Sequence, residues 1–247
     1  MAAAGRSRHN AGKVKEVSMR AFLRLLRRVL LAIFFLALLA ALAVTCRGYA
    51  LYREALTAHP IEQAVEEVRS LPKFVGVEEL PNTYLDAVVA VEDHRFYEHG
   101  GIDLIAIGRA AWHDLTTLSL EQGGSTITQQ LAKNLFLSQE KELSRKVAEV
   151  FLAFDLEARY EKSEILELYV NTSYFGEGCD GIGEASSWYL GKEPLEMTPC
   201  ECALMAGLPN APSLLSENMD LAWERARLVA EQMEKYGLAD VASVVCP

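Results

Sequence analysis

Two hydrophobic rhythms run along the chain. The first is an unbroken apolar run, VLLAIFFLALLAALAVTC at residues 29–46, eighteen residues without a charge. At about 1.5 Å of rise per residue, a helix carries this run across roughly 27 Å, near the thickness of a bilayer core. The second is the 3.6-residue period of amphipathic helices. It is present in LYREAL and IEQAVEEVRSL, in SRKVAEVFLAFDLEARY and KSEILELYV, and in LAWERARLVAEQMEKYGL at 221–238. No strand-like alternation persists beyond a few residues, so the expected fold class is mainly α. Pro60 and Pro72 punctuate the first amphipathic stretch. Ser163 or its neighbour is the expected cap of KSEILELYV. Gly176, Gly178, Gly181 and Gly183 mark a loop after Asn171, and GLPNAPS at 207–213 is a turn-rich exit from an apolar run.

Charge divides the chain unevenly. Residues 1–28 hold eight basic residues against Glu16 alone, a net of +7; the whole chain carries −10, which leaves −17 on the rest. An acidic body argues against nucleic acid as a partner, because phosphate binding needs a basic face. The basic flank before the apolar run places the N-terminus in the cytoplasm and the remainder outside. The expected domains are a basic cytoplasmic tail at 1–28, a transmembrane helix at 29–46, a connector at 47–69 and a catalytic body at 70–247. A cleaved signal peptide is the rival reading of the apolar run, which exceeds a usual signal core of about 7–15 residues. The five cysteines are Cys46, Cys179, Cys200, Cys202 and Cys246. Outside the cell a disulfide is allowed, the odd count leaves at least one over, and Cys200-Glu-Cys202 is too sparse for zinc.

Four stretches hold candidate chemistry. In VEDHRFYEHGGID, Glu92 follows an apolar run and is expected at the end of a buried helix, on the wall of a cleft. Partial desolvation there raises a carboxylate pKa toward use as a base; the alternative is a salt-bridged helix end. In GGSTITQQLAKN, Ser125 and Thr126 precede a helix whose start offers N–H groups to an anion. Thr126, Gln130 and Lys133 share one helical face; the alternative is a capped helix with a polar stripe. In KELSRKVAEV, Lys141, Arg145 and Glu149 fall at i, i+4 and i+8, where two cations and a carboxylate suit a pyrophosphate, directly or through a divalent metal on Glu149. Surface ion pairs are the alternative there. In KSEILELYVN, Lys162, Glu167 and Asn171 read as scaffold.

Taken together, EDHRFYEHGGID, GGSTITQQLAKN, RKVAEVFLAFDLE and KSEILELYVN, continued by YFGEGCDGIGEASSWYLGK and CALMAGLPNAPS, closely resemble the peptidoglycan glycosyltransferase family. That family includes the glycosyltransferase domain of class A penicillin-binding proteins and the monofunctional transglycosylases, and the architecture here resembles the monofunctional form. The resemblance covers about residues 70–235.

It implies a lysozyme-like helical fold with a smaller membrane-associated lobe, whose moving part would be residues 104–120. The implied substrate is lipid II, polymerised into glycan strands by β-1,4 bonds with inversion and release of polyprenyl pyrophosphate. Glu92 would be the general base. Glu149 would assist the leaving group, through Mg²⁺ or Mn²⁺ or by ordering basic residues. Asp93, Phe96, His99, Ser125, Thr126, Gln129, Gln130, Lys133, Asn134, Lys141 and Arg145 would form the substrate site. The partners implied are lipid II, the growing glycan strand, the membrane, and proteins of cell-wall synthesis or division. The location would be the outer face of a bacterial plasma membrane. A glycan-cleaving enzyme and a non-catalytic division scaffold are the rival readings; a cleaver would act on finished peptidoglycan and need no lipid carrier.

Overall fold

The computed structural model describes residues 3–117, 124–137, 142–238 and 246, with side chains from Phe22 onward except at 111 and 114–117. The described residues form eleven α-helices in chain order. These are α1 (Ala3–Ala58), α2 (Ile61–Arg69), α3 (Asn82–Glu92), α4 (Leu104–Thr117), α5 (Ile127–Phe136), α6 (Leu143–Glu157), α7 (Lys162–Thr172), α8 (Ile182–Leu190), α9 (Pro199–Gly207), α10 (Pro212–Glu217) and α11 (Met219–Lys235). The only β pairing among them is a single antiparallel bridge between Tyr174 and Asp180, so the mainly α class stands.

The chain divides into two compact units, Met1–Arg47 and Gly48–Pro247. The first unit is helical. From Phe22 to Leu42 its large apolar side chains are exposed, and the helix from Phe22 is long and apolar enough to cross a membrane. The apolar surface continues seven residues ahead of the uncharged run, because the helix keeps Phe22, Leu23, Leu25 and Leu26 between its arginines.

In the second unit α9 is apolar on every side after its first turn. Cys202, Ala203, Leu204 and Met205 are fully buried, as expected of a helix enclosed by its neighbours. It packs against α3 and α11, while α5, α6 and α7 pack on one another. One hydrophobic core runs through both groups. The connector does not stand apart: the compact unit begins at Gly48, and α2 puts Ile61, Val65 and Val68 into the core. Its apolar stripe needs a partner, and α7 supplies it.

Local signals set the helix ends. Thr126 and Gln129 form a capping box at α5, as Thr198 and Glu201 do at α9, where Pro199 follows the cap. At α7 the cap is Glu161, boxed with Glu164, rather than Ser163 or its neighbour. There the Glu164 carboxylate accepts the Glu161 backbone N–H at 3.1 Å. Gly176, Gly178 and Gly181 adopt positive φ in the loop after α7, but Gly183 lies inside α8. Cys200 and Cys246 are bonded as a disulfide, while Cys46, Cys179 and Cys202 are free. Burial pushes the Cys202 thiol up to about 12, which leaves it unreactive.

The α7 motif is scaffold. Asn171 Oδ1 accepts the Val75 N–H at 2.9 Å, and its Nδ2 donates to the Val75 carbonyl at 2.8 Å. Glu167 Oε2 accepts the Val77 N–H at 2.9 Å. Asn171→Leu strands both backbone groups of Val75 in the core. It is expected to lower stability by about 2 kcal/mol or more, read as a lower urea midpoint of the detergent-solubilised protein; an unchanged midpoint would remove Asn171 as the clamp.

Candidate active site

Glu92 is the last residue of α3, following the buried stretch Ala87–Ala90. Its half-buried carboxylate lines a cleft of about 590 Å³. Burial raises its pKa, opposed by a hydrogen bond from Gln130 and by the charges of Arg225 and Lys133. Gln130 Nε2 donates to Glu92 Oε2 at 2.7 Å. Behind it, the hydroxyl of the buried Tyr169 donates to Gln130 Oε1 at 3.3 Å. The carboxylate is thereby aimed from α5 and α7 while one edge stays open to the cleft.

Asp93, the C-cap of α3, is buried. One oxygen meets His99 Nε2 at 2.8 Å, and the other accepts the Ile127 N–H at 3.1 Å. The free N–H groups at the start of α5 were expected to meet a substrate anion. They meet Asp93 and the Thr126 hydroxyl instead, the latter accepting from the Gln129 N–H at 3.1 Å. A carboxylate of the chain itself fills the positive end of the helix dipole. Thr126 also donates to the Gly101 carbonyl at 2.8 Å. Gly101 can take no side chain there, since a Cβ would lie 2.9 Å from the Ala153 carbonyl carbon.

Several expected substrate residues act from behind. Phe96 is 0% exposed and lies under the Lys162 ammonium, 4.1 Å from its ring centre. It is a core residue, so it does not touch substrate. Thr126 and Gln129 are buried and spend their polar groups on the α5 capping box. Asn134 donates to the Thr172 carbonyl at 3.2 Å. His99 binds Asp93 and faces the Gly100 carbonyl through Nδ1 at 2.6 Å. Gln130 and Lys133 remain near Glu92, so of the face Thr126–Gln130–Lys133 only the last two face the carboxylate.

Glu149 is 1% exposed on α6. Arg145 Nε donates to one of its oxygens at 3.1 Å, and Lys146 Nζ donates to the other. Lys146 also donates to Ser125 Oγ at 2.6 Å, which ties α6 to the segment before α5. The sequence reading overlooked Lys146. Its spacing of three from Glu149 was the available signal, since i,i+3 pairs meet on a helix as i,i+4 pairs do. Lys141 lies outside the described residues; Arg145 and Glu149 of the predicted face both lie on α6.

The donor set does not fit a resident divalent ion on Glu149. Both oxygens are engaged by cations, and among the described residues Glu149 belongs to no converging group of three or more ligands. The group whose donor atoms do converge is Asp93, His99 and Asp103. Its atoms are also engaged: Asp103 Oδ1 accepts the Ile105 and Ala106 N–H groups, and its Oδ2 lies 3.3 Å from Arg95 Nε.

Comparison with known proteins agrees with this geometry. The transglycosylase family profile matches residues 58–234. The chain belongs to this family. It is 47% identical over 174 residues to penicillin-binding protein 1A of Vibrio cholerae, covering 69% of this chain and 21% of that protein. With penicillin-binding protein 1A of Escherichia coli it shares 46% over 169 residues, covering 68% and 20%. A Cupriavidus necator protein whose name carries the word transglycosylase is 42% identical over 193 residues, covering 78% of each chain. The chain thus spans about a fifth of the two penicillin-binding proteins. The matched transglycosylase region contains every described candidate residue.

The raised pKa of Glu92 has a cost in stability. Its ordinary value is 4.5, and the folded value lies above it. Between the two values the native state keeps a proton that the unfolded state has released, so stability falls as pH rises through that window and stays lower above it. Glu92→Gln is expected to raise the unfolding midpoint at pH 7, with the gain vanishing below the ordinary value. Unfolding curves of both proteins at pH 4 and pH 7 test this; equal midpoints at pH 7 would contradict a burial-raised pKa.

Proposed function

We propose that this protein polymerises lipid II into peptidoglycan glycan strands, with Glu92 as the general base. The observation that carries the reading is a half-buried carboxylate of raised pKa, aimed by Gln130 into the cleft, under the positive charge of Lys133 on α5 and Arg225 on α11. In the reaction, a Glu92 oxygen takes the proton from the 4-hydroxyl of the acceptor's N-acetylglucosamine. The freed oxygen pair bonds to C1 of the donor's N-acetylmuramic acid. The C1–O bond to the diphosphate breaks on the opposite face, and its electron pair leaves with the lipid diphosphate. The result is inversion to a β-1,4 bond, the outcome expected when base and leaving-group assistance stand on opposite faces.

Lys133, Arg145 and Lys146 offset the charge that develops on the leaving group. Glu149 takes part by holding Arg145 and Lys146 in place. A buried carboxylate that fixes two cations spares them reorganisation during the reaction. Asp93 positions the base: it ties the turn after Glu92 to α5 and so keeps Gln130 beside the carboxylate.

A lipid-borne substrate has to be met at a bilayer. Residues 29–46 anchor the chain, with the basic tail on the cytoplasmic side and the catalytic unit outside. Leu104, Ile105, Ile107 and Trp112 of α4 are exposed, an apolar face suited to the membrane-associated lobe.

The test is lipid II polymerisation by the detergent-solubilised full-length protein. Wild type yields strands. Glu92→Gln is expected to lose at least about a hundredfold in rate, the low end of what a positioned base contributes. Wild type without strands, beside an active control enzyme, would overturn the function; an active Glu92→Gln would overturn the base.

The pH profile gives a second check. The Gln130 hydrogen bond favours ionised Glu92 and lowers its pKa. Gln130→Leu removes that bond, raises the pKa and moves the acid limb of the rate profile to higher pH. A limb that stays put or moves down would separate Gln130 from the base.

A further inference from the structure

Two side chains of α5, Gln130 and Asn134, stand one helical turn apart, and both bond to α7. Asn134 Nδ2 donates to the Thr172 carbonyl at 3.2 Å, and Gln130 Oε1 accepts from the Tyr169 hydroxyl at 3.3 Å. Helix α7 is itself clamped to Val75 through Asn171. Tyr169 is therefore presented to Gln130 from a fixed helix, at a fixed register. It is 3% exposed, so its hydroxyl has to find a partner inside the fold.

The direction of these bonds matters more than their number. Gln130 Nε2 donates to Glu92 Oε2 at 2.7 Å, so the oxygen end of the same amide is left to Tyr169. A hydroxyl can donate or accept; here only donation satisfies both partners. Burial, and then the charge of Glu92, hold the Tyr169 pKa well above its ordinary value, so the donor proton stays in place across the pH range of an activity assay. Phenol, amide and carboxylate thus line up donor to acceptor, and each bond polarises the next. An amide turned the other way would set its oxygen against the ionised carboxylate. The other groups around Glu92 supply charge without that direction. Lys133 of α5 and Arg225 of α11 lower its pKa, Asp93 raises it, and Tyr84 of α3 lies within reach of its charge. His94, Arg109 and Lys235 line the same cleft.

We propose that Tyr169 is a positioning residue for Glu92, acting through Gln130: its hydroxyl fixes the amide with the N–H end toward the carboxylate and so holds the base in one orientation. This rests on the reading of Glu92 as the base. Tyr169 itself touches no substrate.

The experiment uses Tyr169→Phe, which removes one buried oxygen and keeps the ring. Gln130 Oε1 then lacks its donor, the amide holds Glu92 less firmly, and the ionised carboxylate loses support. In lipid II polymerisation by the full-length, detergent-solubilised protein, kcat is expected to fall about threefold to tenfold, the worth of one hydrogen bond, with KM unchanged. The acid limb of the rate profile moves to higher pH. Adding Tyr169→Phe to Gln130→Leu moves that limb no further, because the chain is already cut. Unfolding curves give a readout without substrate. Glu92→Gln should raise the midpoint at pH 7 by more in the Tyr169→Phe protein than in wild type, since the lost bond makes Glu92 costlier to ionise in the fold. A tyrosine that only filled space would lower overall stability and leave both the limb and this difference where they are.

Either an unmoved acid limb or an unchanged Glu92→Gln gain would overturn the proposal, as would limb shifts that add in the double variant. If Tyr169→Phe does not fold, Tyr169→Met, which fills the space flexibly without a hydroxyl, decides on the same criteria. Wild type without strands removes the lipid II reading, and the unfolding comparison then decides on the Tyr169–Gln130–Glu92 chain by itself.

Discussion

The carboxylate of Asp93 fixes the arrangement on which the site depends. It sits where α3 ends, and it accepts the Ile127 N–H at the start of α5 while facing His99 across the intervening turn. One side chain thus joins the helix that carries Glu92 to the helix that carries Gln130. Without that joint the Gln130–Glu92 hydrogen bond would depend on helix packing alone. Because Asp93 is buried, its two bonds are worth more than exposed ones and costlier to leave half-made. The same carboxylate fills the positive end of α5, so the helix start serves the fold and the substrate charge falls to side chains further along.

The two carboxylates proposed to share the reaction stand in opposite environments. Glu92 ends an apolar helix, with one neutral hydrogen bond and an open edge, and burial raises its pKa. Glu149 is more deeply buried, yet each of its oxygens has a cation. A desolvated carboxylate without a paired cation is suited to take a proton. One held between two cations is suited to fix them. Environment rather than residue type separates the roles.

Charge is also divided in space. The body is acidic overall, yet cations gather beside α6 and along the cleft under α11. Lys133 and Arg225 approach Glu92 from different helices, which gives the base positive charge from two directions. The cations of α6 are held by a buried acid, whereas Arg225 keeps a buried N–H without a partner.

The sequence by itself determined the anchor helix, the helical class, the scaffold role of Asn171 and the place of Glu92 at a helix end. Each follows from periodicity, composition or a local cap, and these act over a few residues. Family motifs carried the rest of the candidate site, but as a set of residues without contacts. Only the tertiary structure decided that Phe96 is core, that the start of α5 is closed by Asp93, that Lys146 joins Arg145 on Glu149, and that Arg225 reaches the cleft beside Glu92. Those outcomes depend on which helices pack together and how each is rotated about its axis. No local pattern encodes that rotation, because it is fixed by side-chain packing between segments far apart in the chain.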